Sequence, residues 1–357
     1  MVRVTQQQVA KKAGVTRATV SYVLTGRARS LKITEAVIQR VEAAARELGY
    51  APNYAARSLV SGKSKTLGLA LGAGGYVSLM WSLIAEGVET EALKAGYDVL
   101  IISDRRDTES GPAGLEYLRR RRIDALISLG RIYDADAQLW KQAPTLPVVL
   151  EADKPPQGLP SVRLDPATGY RAAIEHLARN GHRRLLWIGP SADKVQQVVP
   201  NRAEVARKIA RELGLSLEAL YLPDVERIGL GSPVERAITV VPELLQAAIP
   251  DALPATAVLC WNDQLALGLY RFLSARGLRI PDDVSVVGFD NHEAVYGQPP
   301  ISSITQEFRE TGRAAAQLAL QMADGSLSMA EARKTIIHVP SRFIARPSVG
   351  AGPFVAG

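Results

Sequence analysis

The side chains best placed for chemistry lie in residues 4–24, VTQQQVAKKAGVTRATVSYVL. Their chemistry is hydrogen bonding to a nucleic acid. Read at helical period, the stretch predicts two short helices joined by a tight turn. Thr5 caps the first helix, and Gln8, three residues on, completes a capping box. Val9, Ala10 and Ala13 make one apolar face. Gly14 breaks the helix where positive φ is cheap. Thr16 caps the second helix, which turns Val20, Val23 and Leu24 inward and Arg17, Ala18, Ser21 and Tyr22 outward. This is the helix-turn-helix pattern, whose second helix enters the DNA major groove. Arg17 suits bidentate bonding to guanine, Ala18 suits a thymine methyl, and Tyr22 completes the base-edge set. Thr5, Thr16, Thr19 and Ser21 are short donors suited to phosphates. An ordinary helical hairpin has the same apolar spacing, so these two helices alone do not decide between the readings.

Charge favours the nucleic-acid reading. Residues 1–66 carry twelve Lys and Arg against three acids, a net +9, while the remainder of the 357-residue chain sums to −2. A basic head on a near-neutral body is the footprint of a polyanion-binding module. The one cysteine, Cys260, excludes an intrachain disulfide framework and a cysteine zinc site. No apolar leader region opens MVRVTQQQVA, and no stretch has the length of a membrane span, so a cytoplasmic, nucleoid-associated protein is expected.

The elements that must position these residues follow in order. Thr34 opens a third helix with an apolar stripe of Ala36, Val37, Val41, Ala44, Ala45 and Leu48, stopped by Gly49. The basic loop 25–32 precedes it. Pro52 starts a short helix, with Ala55, Ala56, Leu59 and Val60 on one side and Gly62 at its end; alone, it is too short to be stable. From Thr66 strands and helices alternate: TLGLAL, YDVLIIS, DALISLG and PVVLEA, then RRLLWIG, TAVLCW and VSVVGF, with amphipathic helices between them. Alternation of this kind predicts parallel sheets with right-handed crossovers, and the strands are too many for one compact sheet. Two α/β lobes are expected.

The chain resembles the LacI/GalR family of bacterial transcription regulators. The resemblance rests on VAKKAGVTRATVSYVL, RELGYAPNYAARSLVSGKSKTLGLAL, HLARNGHRRLLWIG, WNDQLALGLYRFLSARGLRIPDDVSVVGFDN and PPISSITQE, in that order along nearly the whole chain. It implies a small all-α helix-turn-helix head over residues 1–49 and a hinge helix and linker over 50–65. An effector-binding and dimerisation domain over 66–357 follows, with two lobes like those of periplasmic binding proteins. The expected N-lobe is about 66–165 plus 296–328, and the C-lobe about 166–295 plus 329–348. The implied partners are double-stranded palindromic operator DNA, a sugar-like effector and a second copy of the chain. The tail GAGPFVAG lacks leucine heptads, so a dimer rather than a tetramer is expected. Leu59 matches the family's minor-groove lever, which kinks the operator, and Ala56 would lie against the groove.

The resemblance also places an effector site in the cleft between the lobes. Its matching positions are Asp104, Asp165, Arg202, Asn262 and Asp290, with Trp81 and Trp261 as aromatic faces for a sugar's C–H surface. Three departures from the family pattern bear on specificity. Tyr22 stands where many members have Arg, Ser78-Leu79-Met80-Trp81 replaces the usual Asn-Pro-aromatic-aromatic stretch, and Val205 replaces the usual Gly in the helix after Arg202. The rival readings are a nucleotide-fold enzyme and a transporter's solute-binding protein. Residues 71–77, LGAGGYV, have Val77 at the third glycine of a dinucleotide fingerprint, and Gly62-Lys63-Ser64 lacks the rest of a phosphate loop. No G-x-S-x-G and no metal-spaced histidine pair is present. No catalytic residue, metal or cofactor is expected.

Overall fold

The computed structural model describes residues 4–50, 62–71, 79–103, 113–129, 139–140, 143, 145, 147–150, 158–190, 202–223 and 234–352. The chain divides into two compact units, Met1–Ser64 and Lys65–Gly357.

In the first unit, α1 (Gln6–Ala13), α2 (Arg17–Leu24) and α3 (Glu35–Glu47) pack around Val9, Ala10, Val20, Val23, Ile38 and Val41. The capping box between Thr5 and Gln8 is formed in both directions, and Gly14 ends α1 at φ 63°. Thr34 occupies the N-cap of α3 but makes no side-chain cap bond there, so its expected role is only half met. Lys12 and Glu47 join α1 to α3 by an ion pair.

The second unit holds two six-stranded sheets. The first has the order β11-β5-β4-β3-β1-β2. It is built from β1 (Thr66–Leu71), β2 (Asp98–Ser103), β3 (Ala125–Leu129), β4 (Val148–Leu150), β5 (Ser161–Asp165) and β11 (Ile336–Pro340), all parallel. Helices α4 (Leu79–Lys94), α5 (Ala113–Arg119), α10 (Phe308–Asp324) and α11 (Met329–Ala332) belong to this lobe. Helices α4 and α10 touch backbone to backbone. A Cβ on Gly87 would lie 2.1 Å from the Arg309 carbonyl oxygen, and one on Gly312 would lie 2.1 Å from that of Ile84.

The second sheet has the order β12-β10-β9-β8-β6-β7. Its strands are β6 (Arg184–Gly189), β7 (Ser216–Tyr221), β8 (Ala257–Cys260), β9 (Ser285–Asp290), β10 (Ser302–Thr305) and β12 (Arg342–Ile344); only β12 runs antiparallel to its neighbour. Around it lie α6 (Pro166–Arg179), α7 (Arg202–Glu212), α8 (Val234–Ala248) and α9 (Asp263–Ala275). Its core centres on Tyr170, Trp187, Leu259, Leu269 and Phe289.

The pairing corrects the expected lobe limits. Strand β10 lies within 296–328, assigned to the N-lobe, yet it pairs with β9 and β12 in the second sheet. Helix α11 and strand β11 lie within 329–348, assigned to the C-lobe, yet β11 pairs with β5 in the first sheet. Sheet membership is decided by long-range pairing, which strand periodicity does not reveal. The chain therefore changes lobe three times, at Asp165–Pro166, between Thr305 and Phe308, and at Pro340–Arg342. The three passages are stitched together. Ser341, fully buried, donates through its backbone N–H (3.0 Å) and its hydroxyl (2.8 Å) to the Asp165 carbonyl, and its hydroxyl accepts from the Gly169 N–H. Arg342 pairs with Glu307 at 2.8 Å.

Candidate DNA interface and effector site

Helix α2 presents the predicted reading face. Arg17, Ala18 and Tyr22 are exposed, and Thr19 and Ser21 are half-buried. Thr16 accepts from the Thr19 N–H at 3.2 Å, and its hydroxyl lies 2.9 Å from that of Thr19. Thr5 and Thr16 thus act as caps and remain exposed. Beyond α2, Arg27 and Arg29 are exposed on a loop pinned by buried Ala28, and Arg29 faces Glu35 at 3.7 Å. Ala56 and Leu59 lie outside the described residues.

In the second unit several of the predicted effector residues stand at or just after strand carboxyl ends, where α/β sheets place their ligand sites. Asp165 ends β5, Trp261 and Asn262 follow β8, Asp290 ends β9, and Arg202 opens α7. Three of them meet. Arg202, 7% exposed, donates to the Trp261 carbonyl at 2.6 Å and approaches the Asp290 carboxylate at 3.8 Å. Its guanidinium lies 3.8 Å above the Phe289 ring and 5.9 Å from that of Trp261, so cation–π attraction holds it in place. Phe289 was missed by the sequence reading, although it directly precedes Asp290 in GFDN.

Asp290 sits at φ 90° and Asn291 at φ 55°, conformations that Asp and Asn tolerate better than other non-glycine residues. Gln306, also missed, donates from Nε2 to the Asp290 carboxylate. It lies in PPISSITQE, just after β10, where no local pattern points to Asp290. Asp263 supports the turn from beneath. Its Oδ1 accepts from Ser303 and its Oδ2 from the His292 N–H, both at 2.7 Å. Burial pushes its carboxyl up to about 7 despite those bonds. Gly288 must be glycine here, because a Cβ would lie 2.2 Å from Asp263 Oδ1.

The other predicted positions have first duties elsewhere. Asn262, 5% exposed, caps α9 by accepting from the Leu265 N–H at 2.8 Å. Asp165 caps α6, accepting from the Ala167 N–H at 2.9 Å. Trp81 is half-buried against the core of the first lobe. Asp104 lies outside the described residues. Among the described residues no group of His, Cys, Asp and Glu is placed to hold a metal, and no helix is long and apolar enough to cross a membrane.

A basic helix-turn-helix head joined to a two-lobed α/β domain, with polar and aromatic side chains gathered at its strand ends, defines a DNA-binding regulator with a ligand-binding domain. Comparison with known proteins agrees. Residues 5–53 match the model of bacterial regulatory proteins of the lacI family, and residues 174–349 match a periplasmic binding protein-like domain. The chain thus carries a LacI-family helix-turn-helix domain and a periplasmic binding protein-like domain, and it is a transcriptional regulator. It is 29% identical over 325 residues to the HTH-type transcriptional repressor CytR of Escherichia coli (strain K12), covering 90% of each chain. The Lac repressor dimer bound to operator and the anti-inducer ONPF is similar at 25% identity and TM-score 0.76, over 98% of this chain and 100% of that one. The transcriptional regulator CelR–cellobiose complex is similar at 25% identity and TM-score 0.63, over 97% and 100%.

Proposed function

We propose that this regulator is a cytoplasmic repressor that binds a palindromic operator as a homodimer and releases or grips it according to a sugar-like effector. It acts by binding and has no catalytic turnover. In this reading residues 1–49 bind DNA, 50–65 form the hinge and linker, and 66–357 bind the effector and the second subunit. Arg17, Ala18 and Tyr22 read base edges, while Thr5, Thr16, Thr19 and Ser21 hold phosphates. Leu59 wedges the minor groove, with Ala56 against it.

The observation that carries the effector reading is the Arg202–Trp261–Phe289–Asp290 cluster. A cation and a carboxylate side by side can bind adjacent hydroxyls, as donor and as acceptor, and the tryptophan offers an apolar face for C–H groups. Asp104, Asp165, Asn262 and Trp81 complete the pocket. The similarity to a cellobiose complex supports a sugar-like ligand for this chain too. Control then follows from linkage: an effector that favours one angle between the lobes changes operator affinity, and operator binding changes effector affinity by the same factor.

The test is a thermal-shift screen of the full chain against sugars, sugar phosphates and nucleosides. A ligand that binds only the folded state raises Tm. A sugar that raises Tm in the native chain and fails to do so in Arg202→Ala supports the assignment. A shift retained in that variant refutes it.

A further inference from the structure

Four consecutive arginines, Arg119 to Arg122, close helix α5 and lead into β3. All four are exposed, while Leu118 and Ile123 on either side are buried. The turn is ordered by its backbone: the N–H groups of Arg120, Arg121 and Arg122 donate to Glu116, Leu118 and Tyr117 at 2.9–3.0 Å. Arg120 pairs with Glu116, and the Arg122 guanidinium lies 4.9 Å over Tyr117. Arg119 and Arg121 have no ion-pair partner among the described residues. Asp124, the acid beside the turn, accepts from the Lys65 N–H at 2.9 Å.

Arg121 stands at φ 53°, the left-handed position that follows a helix. Helices α1, α3, α4, α6, α7 and α9 fill that position with Gly14, Gly49, Gly96, Gly181, Gly214 and Gly277. Glycine costs least there, and a cation gains only modestly from the helix dipole. The backbone therefore does not explain an arginine at this point.

The position of the turn suggests what does. The Asp124 N–H donates to the Thr66 carbonyl at 2.8 Å, so the arginines lie at the end of the sheet where β1 begins. That is also where the chain enters this unit from the linker. Fourteen residues separate Tyr50 from Lys65, a reach of at most about 50 Å. A tether of that length keeps DNA bound by the head at high effective concentration for this unit. Double-stranded DNA offers a dense, regularly spaced array of phosphates to which arginine binds bidentately.

We propose that Arg119 and Arg121 form a second, sequence-independent DNA contact on the phosphates flanking the operator half-site. The inference rests on the DNA-binding reading of the head. Its test uses the full chain and a duplex it selects from a random library, with binding followed by fluorescence anisotropy from 50 to 300 mM KCl. The Arg119→Ala/Arg121→Ala variant is expected to weaken binding by on the order of tenfold per lost contact at 0.1 M salt and to lower the slope of log Kd against log[KCl] by about two. Arg121→Gly, which removes the charge but suits the backbone, is expected to bind more weakly with an unchanged or higher Tm. Arg279→Ala, a surface charge on the other lobe, is expected to leave the slope unchanged. An unaltered slope and Kd in the double variant, at native Tm, overturns the proposal. If the native chain enriches no duplex, the DNA-binding reading fails and this contact fails with it. If Arg17→Ala loses binding while the arginine variants do not, only this contact fails.

Discussion

The helical head and the effector lobes solve opposite problems. In the head, the side chains proposed to act (Arg17, Ala18, Tyr22) project from a helix whose other face makes the core. Little of the fold depends on them. In the lobes, Arg202, Asn262, Asp165 and Asp290 are wired into the structure as caps, carbonyl ligands and an ion pair. A surface that must match a long, rigid partner can be built on exposed residues. The pocket proposed to sense a small molecule uses groups already bonded to the fold, so that ligand contacts there would pass directly into the framework.

Substitutions can break or sharpen this contrast. Arg202→Ala is expected to have the largest effect, because it strips the Trp261 carbonyl and the half-buried Asp290 carboxylate of a partner and opens a gap over Phe289. A loss of about 3 kcal/mol in chemical denaturation is expected, and an unchanged midpoint would show that the pocket is as separable as the head. Arg17→Ala is expected to weaken operator binding by about 2 kcal/mol in anisotropy titrations with no change in Tm; a fall in both would erase the contrast. Asp263 provides a pH test. Its carboxyl ionises near pH 4 in the unfolded chain and only near 7 in the fold. The folded state binds the extra proton, so this group's contribution favours folding below pH 4 and is lost as pH rises to 7. Tm measured from pH 4 to 8 is expected to fall less steeply in Asp263→Asn than in the native chain, and parallel curves would refute the assignment. The smallest effect belongs to Asn262→Ala, which removes the cap of α9 at a cost of about 1 kcal/mol, measured by urea denaturation.

What could be read from the sequence followed the range of the interactions. The Thr5–Gln8 capping box, the left-handed Gly14 and the stripes of α1 and α2 are set by residues close in sequence, and they stand as expected. Alternating strands and helices give two sheets, parallel except for β12. Which sheet receives β10 and β11 depends on partners far away in the chain, and there the expected lobe limits failed. The site behaves alike: Asp290 and Arg202 could be named one at a time, whereas Phe289 beneath the guanidinium and Gln306 against the carboxylate emerged only from packing.

The three passages between the lobes carry a mechanical consequence. A single connecting strand would let two bodies twist, swing and slide. Three strands in parallel, cross-bonded through Ser341 and the Arg342–Glu307 pair, resist twist and shear and leave bending as the soft mode. The lobes then behave as a jaw with one axis. Any ligand that closes it drives the same motion, so chemically different ligands can differ in how far the jaw moves but not in the path it follows.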